Sequence, residues 1–87
     1  LLVNVARGSV VDEPALIDAL EQGRLGAAAL DVMWSEPRPD PRLTRLPNAI
    51  LTPHIGSATQ ETRDAMSANV LANLRALFAG QPMPGRV

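Results

Sequence analysis

Four side chains able to bind anions or move protons are spread along the chain: Arg7, Asp31, Glu36 and His54. His54 is the only histidine, and because histidine changes charge near neutral pH it is the natural general acid or base. A carboxylate beside it, such as Glu36, would favour the protonated ring. Arg7 could bind a carboxylate through two parallel hydrogen bonds and polarise an adjacent carbonyl. These residues predict proton transfer to an anionic substrate.

Each of these residues also has a plainer interpretation. Arg7 could be a surface arginine paired with Asp12 or Glu13. The residue types and their positions favour this interpretation and carboxylate binding about equally. Glu36 could be a solvated loop charge, although the proline after it restricts its backbone. An aspartate at a strand end, like Asp31, is often only a turn former. Trp34, the sole tryptophan, could line a pocket, but covering the edge of the core is the simpler reading.

The elements around these residues form an α/β pattern. Apolar runs at 1–6, 26–32 and 49–52 predict strands buried in a parallel sheet, and Asp12, Pro14 and Gly23 bound a helix over roughly residues 13–22. The order strand, helix, strand, loop, strand, helix indicates a right-handed parallel unit, half of a doubly wound sheet. Ligands of such sheets bind beyond the carboxyl ends of the strands, where all four residues fall.

A long second helix is predicted over 59–79, with Ser57 or Thr59 as its cap and Gly80 as its end. Its apolar residues fall on one broad face, and we expect them to be core: Met66, Val70, Leu71, Leu74, Leu77 and Phe78. Residues 81–87 contain two prolines and are expected to form an extended tail.

Composition excludes several classes of function. Eight basic and nine acidic side chains give a net charge of -1, which argues against a nucleic-acid or membrane-surface partner. One histidine and no cysteine leave no support for a metal site. No apolar run is long enough to span a bilayer and no signal segment opens the chain, so we expect a soluble cytoplasmic protein. The chain begins on Leu1 within an apolar run, which suggests a fragment of a larger two-domain protein.

Three motifs resemble the signatures of the D-isomer specific 2-hydroxyacid dehydrogenases. They are Asn-Val-Ala-Arg-Gly-Ser-Val-Val-Asp-Glu at 4–13, Ala-Leu-Asp-Val at 29–32 with Glu36-Pro37, and Leu-Pro-Asn at 46–48 with Thr-Pro-His-Ile-Gly-Ser-Ala-Thr at 52–59. Their order and spacing cover nearly the whole chain. The resemblance implies a Rossmann-type domain that binds NAD or NADP, with residues 1–80 as its C-terminal part and the 59–79 helix leading back toward a substrate domain.

The resemblance also implies roles for individual residues. Arg7 would bind the carboxylate and carbonyl of a 2-keto acid, His54 would be the proton donor in its reduction, and Glu36 would be the partner of that histidine. Arg7 and His54 would thus be the substrate-binding residues. The nicotinamide end of the cofactor would lie among a wider set of residues: Val5, Ala6, Arg7, Asp31, His54, Ile55, Gly56 and Ser57.

The expected activity is hydride transfer between NAD(P)H and a 2-keto or D-2-hydroxy acid, by a homodimer. The tail resembles those of glyoxylate and hydroxypyruvate reductases, although phosphoglycerate dehydrogenases and other members remain open. The alternative is a non-enzymatic dinucleotide-binding module, corepressor-like or purely structural. The Gly-x-Gly-x-x-Gly fingerprint that cradles a pyrophosphate is missing from these 87 residues, so we expect the isolated piece to be inactive and to bind no dinucleotide tightly.

Overall fold

The computed structural model describes residues 1–86 and divides the chain into two compact units, Leu1–Gly56 and Ser57–Val87. Of the expected 81–87 tail, Val87 lies outside the described residues. Residues 81–86 form no helix or strand, and the backbone turns where the Arg86 amide donates to the Met83 carbonyl at 3.2 Å.

The first unit contains a parallel sheet of three short strands. They are β1 (Leu2–Asn4), β2 (Ala28–Leu30) and β3 (Ala49–Leu51), and they lie side by side in that order. Asn4 pairs with Leu30, which pairs with Leu51, so the three carboxyl ends are level with one another. The predicted parallel α/β class is confirmed, while the strands are shorter than the apolar runs that predicted them.

Helix α1 (Glu13–Glu21) connects β1 to β2 and covers one face of the sheet. The Asp12 side chain accepts from the Ala15 amide at 3.0 Å, Pro14 lies in the first turn, and the positive φ of Gly23 ends the helix. The apolar side of α1 packs on alternate residues of the strands, and the buried cluster is Leu16, Ile17, Leu20, Ala28, Leu30, Met33 and Leu43. This packing holds the carboxyl ends of the strands in fixed positions.

The connection from β2 to β3 is a long loop rich in proline, as its composition predicts. It contains one short 3-10 helix, Leu43–Arg45, from which Leu43 enters the core with 1% of its surface exposed. A second 3-10 turn, Gly8–Val10, follows β1. The loop is therefore anchored at Leu43, and its first residues remain beside the end of β2.

The second unit contains helix α2 (Gln60–Phe78) with short segments before and after it. Thr59 caps the helix by accepting from the Thr62 amide at 3.2 Å, and Gly80 follows its end with φ of +66°. The expectation that its apolar face is core is wrong for the described residues, because the unit holds a single helix with no second element against which to pack. The six side chains are 44–86% exposed: Met66, Val70, Leu71, Leu74, Leu77 and Phe78.

Candidate active site

A cleft of about 630 Å³ lies at the carboxyl edge of the sheet. It lies where three loops meet, and the level strand ends explain why: Arg7, Met33 and His54 each come three residues after one of the paired residues that end the strands. The cleft is lined by Arg7, Gly8, Ser9, Met33, Trp34, Ser35, Glu36 and His54. Three of the four residues singled out by chemistry, Arg7, Glu36 and His54, therefore share one cavity.

His54 and Glu36 are in direct contact. The imidazole Nδ1 lies 2.7 Å from Glu36 Oε2, and the other carboxylate oxygen accepts from the Met33 amide at 2.9 Å. The hydrogen bond with His54, followed by that from Met33, lowers the pKa of the Glu36 carboxyl below its ordinary value of 4.5. An ionised carboxylate only accepts, so Nδ1 carries a hydrogen and Nε2 is the ring atom left to exchange a proton with a bound molecule.

His54 occupies a backbone conformation that few residues with side chains adopt, with φ of +56°. Asp31, which is 7% exposed, lies beneath this turn. Its Oδ1 accepts from the Thr52 hydroxyl at 2.5 Å and the Ile55 amide at 2.9 Å, and its Oδ2 accepts from the Gly56 amide at 2.8 Å. The bond from Thr52 is the largest of the effects that lower the pKa of Asp31 below 3.8. Hydrogen bonds on both sides of His54 thus hold its turn to the end of β2.

Arg7 is exposed at the other side of the cleft, and its Nη1 donates to the Ala6 carbonyl at 2.6 Å. The plainer reading, an ion pair with Asp12 or Glu13, does not occur: among residues 1–86, Asp12 caps α1 and Glu13 accepts from the Trp34 amide. The guanidinium makes no ion pair within that range, so it remains available to an anion.

Gly8 brings the first two loops into contact. A Cβ built on Gly8 would lie 2.3 Å from the carbonyl carbon and oxygen of Met33, and 2.8 Å from the Trp34 amide. No side chain can occupy that space unless a backbone moves. The distance between the Arg7 loop and the loop that carries Glu36 is therefore set by the absence of a side chain at this one position.

Trp34 lines the cleft with about half of its surface exposed. Its indole Nε1 donates to the Val11 carbonyl at 2.8 Å, and its backbone amide donates to the buried Glu13 carboxylate at 2.8 Å. The ring is thus fixed at the edge of the cavity and lines it. The sequence had favoured the other interpretation, in which Trp34 only covers the edge of the core.

Sequence reasoning assigned no role to two buried polar residues near the cleft, Asn4 and Glu13. The Asn4 side chain donates to the Arg7 carbonyl at 2.9 Å and accepts from the Ala6 amide at 3.1 Å, while Glu13 holds Trp34. A single polar residue in an apolar strand was the available signal for Asn4. No comparable signal marks Glu13, because acidic residues are common in the first turn of any helix.

The residues expected around a nicotinamide are largely accessible. Val5 and Ile55 are apolar side chains left 70% and 51% exposed at the carboxyl edge, where a flat ring could cover them. Ala6 and Gly56 are exposed, and Asp31 retains acceptor capacity on Oδ2. Val5, Asp31 and Thr52 also border a small, mainly apolar hollow of about 80 Å³. These residues fit a nicotinamide group. Ser57 is exposed and belongs to the second unit.

Two further findings bear on function. Within residues 1–86, no three histidine, cysteine or acidic side chains come close enough together to hold a metal ion. Neither helix of that range has the length and apolar character needed to cross a lipid bilayer.

A family model described as the D-isomer specific 2-hydroxyacid dehydrogenase NAD binding domain matches residues 1–56. The chain belongs to this family, as its three motifs predict. The match covers the whole of the first unit, including Arg7, Glu36 and His54.

Known proteins resemble a longer part of the chain. It is 49% identical over 83 residues to a hydroxyphenylpyruvate reductase of Plectranthus scutellarioides, and 52% identical over 82 residues to a glyoxylate/hydroxypyruvate reductase B of Pectobacterium atrosepticum. These matches cover 95% and 93% of the chain but 26% of each relative. The chain thus spans about a quarter of the length of these relatives.

A solved structure shares the fold. It is an NADPH-dependent glyoxylate/hydroxypyruvate reductase of Sinorhizobium meliloti in complex with NADP and malonate, with a TM-score of 0.82 and 47% identity. The match covers 88% of the present chain and 24% of that one. The Rossmann-type α/β assignment made from sequence is confirmed.

Proposed function

We propose that this chain supplies the catalytic residues of an NAD(P)-dependent D-2-hydroxyacid dehydrogenase, which reduces a 2-keto acid to the corresponding D-2-hydroxy acid. The observation that carries the proposal is the 2.7 Å contact between His54 and Glu36 in a cleft that Arg7 also lines. This reduction requires a proton donor, a carboxylate that orients the donor and a cation for the anionic substrate.

Arg7 is proposed to bind the substrate. Its guanidinium presents parallel N–H donors that match the oxygens of a carboxylate, and its charge polarises the neighbouring ketone. As the ketone is reduced, negative charge grows on its oxygen, and a cation fixed nearby stabilises that charge more in the transition state than in the ground state. Arg7 therefore both holds the keto acid and lowers the barrier.

His54 is proposed to protonate the developing alkoxide. Glu36 accepts the Nδ1 hydrogen, which fixes the ring orientation and leaves Nε2 as the nitrogen that can donate a proton to the substrate oxygen. In the oxidation direction the same nitrogen accepts the proton from the hydroxy acid.

A reduced nicotinamide, NADH or NADPH, would supply the hydride. Support for a cofactor at this edge comes from the exposed Val5 and Ile55 side chains and from the free acceptor capacity of Asp31. We propose that Ala6, Arg7, His54, Gly56 and Ser57 complete its surroundings. The relative from Sinorhizobium meliloti, described as a complex with NADP, supports the same kind of cofactor.

The substrate class is proposed from the relatives, which are described as reductases of glyoxylate, hydroxypyruvate and hydroxyphenylpyruvate. All three compounds are 2-keto acids, and each offers the carboxylate and carbonyl that Arg7 would bind.

For the domain organisation, we propose that residues 1–80 are the C-terminal part of the cofactor domain. Residues 59–79 would be the helix leading to a substrate domain, and residues 81–87 would be a tail. We also propose that the protein is a homodimer and that it is cytoplasmic. A chain without cysteine is compatible with the cytoplasm, where disulfide bonds are rare.

The test is the oxidation of NADH and NADPH by the full-length natural polypeptide with glyoxylate, hydroxypyruvate, hydroxyphenylpyruvate, phosphohydroxypyruvate and pyruvate. We expect turnover on at least one acid, and gel filtration of the same sample tests the dimer. A folded protein that binds the dinucleotide but reduces none of these acids would contradict the proposal and favour a non-enzymatic binding module.

A further inference from the structure

Three polar side chains of the first unit are buried, each 6–7% exposed: Asn4, Glu13 and Asp31. Each of them hydrogen-bonds the backbone of a different loop of the cleft. Burying a polar or charged group is costly unless it is hydrogen-bonded, so a side chain in this position needs its partners. In this unit the partners are the backbone groups that present the proposed catalytic residues.

Each of the three loops receives at least one of these bonds. Asn4 bonds the Arg7 carbonyl at 2.9 Å and the Ala6 amide at 3.1 Å, next to Arg7. Glu13 bonds the Trp34 amide at 2.8 Å, two residues before Glu36. Asp31 bonds the amides of Ile55 and Gly56, directly after His54.

We propose that Asn4, Glu13 and Asp31 are positioning residues, each of which fixes one of the turns that carry Arg7, Glu36 and His54. The role rests on the proposed function but differs from it, because Asn4 and Glu13 do not line the cleft and act only through the backbone. Asp31 would hold the His54 turn with one Oδ1 and one Oδ2 bond, which leaves capacity on Oδ2 for a cofactor.

The need for positioning is greatest at His54. Its φ of +56° lies in the left-handed region, where a residue with a Cβ is disfavoured unless its surroundings enforce the conformation. The Asp31 carboxylate meets that need, because it accepts from Thr52 before the turn and from two amides after it. Moving a reacting group by about 1 Å can cost roughly 100-fold in rate, so such a clamp matters for turnover.

Three variants of the full-length natural polypeptide remove the bonds one loop at a time. Asn4→Leu removes both bonds without adding charge, Glu13→Ala removes the acceptor of Trp34, and Asp31→Asn replaces one of the two acceptor oxygens by a donor group. The matched control is Asp40→Asn, because Asp40 also accepts a backbone amide, from Arg42 at 2.8 Å, and lies in a part of the β2–β3 loop that does not line the cleft. Glu13→Gln keeps an acceptor and should rescue most of the loss.

The first readout is hydrogen exchange resolved by segment. We expect faster exchange confined to residues 5–10 in Asn4→Leu, to 33–37 in Glu13→Ala and to 52–57 in Asp31→Asn, with the core of α1 as protected as in the natural protein. The second readout is turnover at saturating NAD(P)H and keto acid, which should fall roughly 10- to 100-fold in each variant. Dinucleotide affinity should be unchanged in Glu13→Ala, because residues 33–37 include none of the residues proposed to contact the cofactor.

Exchange that accelerates evenly over the whole unit, or turnover equal to that of Asp40→Asn, would overturn the proposal and leave these residues as general stabilisers of the fold. Loss of dinucleotide affinity with full turnover in Asp31→Asn would assign Asp31 to the cofactor alone. If the natural protein reduces no keto acid, the proposed function fails, and the exchange patterns by themselves decide whether each side chain holds its turn.

Discussion

The two units of the chain are stabilised by different kinds of contact. In the first unit some hydrogen bonds at the cleft are local, as between Asn4 and Arg7, but others join residues more than twenty apart, such as Glu13 to Trp34 and Asp31 to Gly56. In the second unit most side-chain bonds join residues three or four apart, as between Asn69 and Asn73. Among residues 1–86, every buried hydrophobic residue lies in the first unit. Local signals are therefore enough to specify a helix such as α2, whereas the edge of the sheet that carries the cleft also requires tertiary contacts.

The largest expected effect is a loss of stability when a buried residue of the first unit is truncated, compared with an exposed residue of α2. Ile17 is fully buried and Leu71 is 52% exposed. In urea unfolding of the 87-residue chain, Ile17→Ala should cost about 2–5 kcal/mol and the milder Ile17→Val about 0.5–1.5 kcal/mol. Leu71→Ala should change the free energy of unfolding by no more than about 0.5 kcal/mol. Equal losses at both positions would mean that α2 packs against a partner and that the two units are not stabilised in different ways.

The second prediction concerns chemistry, which we assign to the first unit. His54→Gln in the full-length polypeptide should lower turnover on its keto acid by roughly 100-fold or more, because a positioned proton donor commonly contributes that much. Asn69→Ala on α2 serves as the control and should leave turnover unchanged. Steady-state oxidation of NADH or NADPH measures both, and near-normal turnover in His54→Gln would remove His54 from the proposed role.

Substitutions of Gly8 and Gly80 should differ in how far their effects spread. Gly8→Ala should cost about 1–3 kcal/mol, because its Cβ would collide with the backbone of Met33. Gly80→Ala meets nothing within 4 Å, and its cost of about 1–2 kcal/mol comes only from the positive φ at the end of the helix. Segment-resolved hydrogen exchange should therefore show a change that reaches residues 33–37 in the first variant and one confined to the end of α2 in the second. Gly26→Ala, in open space with no positive φ, is the neutral control.

The smallest expected effect is a loss of stability in acid. The pKa values of Asp31 and Glu36 are lowered in the folded state, mainly by their bonds with Thr52 and His54. Their contribution to stability is fully present above their ordinary values of 3.8 and 4.5, and it is lost as the pH falls through the lower folded-state values. Urea midpoints measured between pH 6 and roughly pH 2 should decline below about pH 4.5. The double variant Asp31→Asn, Glu36→Gln should show a shallower decline.

Much of the fold could be predicted from the sequence because its signals are local. Asp12, Pro14 and Gly23 bound α1 as expected, and the order of apolar runs gave the parallel sheet. The strand ends were less predictable, since the apolar runs continue beyond the last ladder bond: β1 ends at Asn4 although the run reaches Ala6. The apolar face of α2 was assigned to a core because helical periodicity identifies a face and says nothing of its partner.

The candidate site was predictable to the extent that strand ends determine it. Arg7, Glu36 and His54 meet at one edge because parallel strands direct their following loops there. Asn4 could have been noticed as a single polar residue in an apolar strand, and its bonds to Ala6 and Arg7 are local. The contact of Glu13 with Trp34 was not predictable, because these residues meet only once α1 has packed. The same holds for Trp34, whose position in the cleft depends on the distant Val11 carbonyl and Glu13 carboxylate.

The close approach at Gly8 has a consequence for protein engineering. Because a Cβ at Gly8 would collide with the Met33 backbone, any larger residue there would have to displace one of the two loops, so Gly8 is a poor position at which to reshape the cleft. Ser9 and Ser35 line the same cavity on either side of that contact, with small side chains that a library can enlarge or charge. A redesign aimed at bulkier or differently charged keto acids should vary these two serines and leave the glycine untouched.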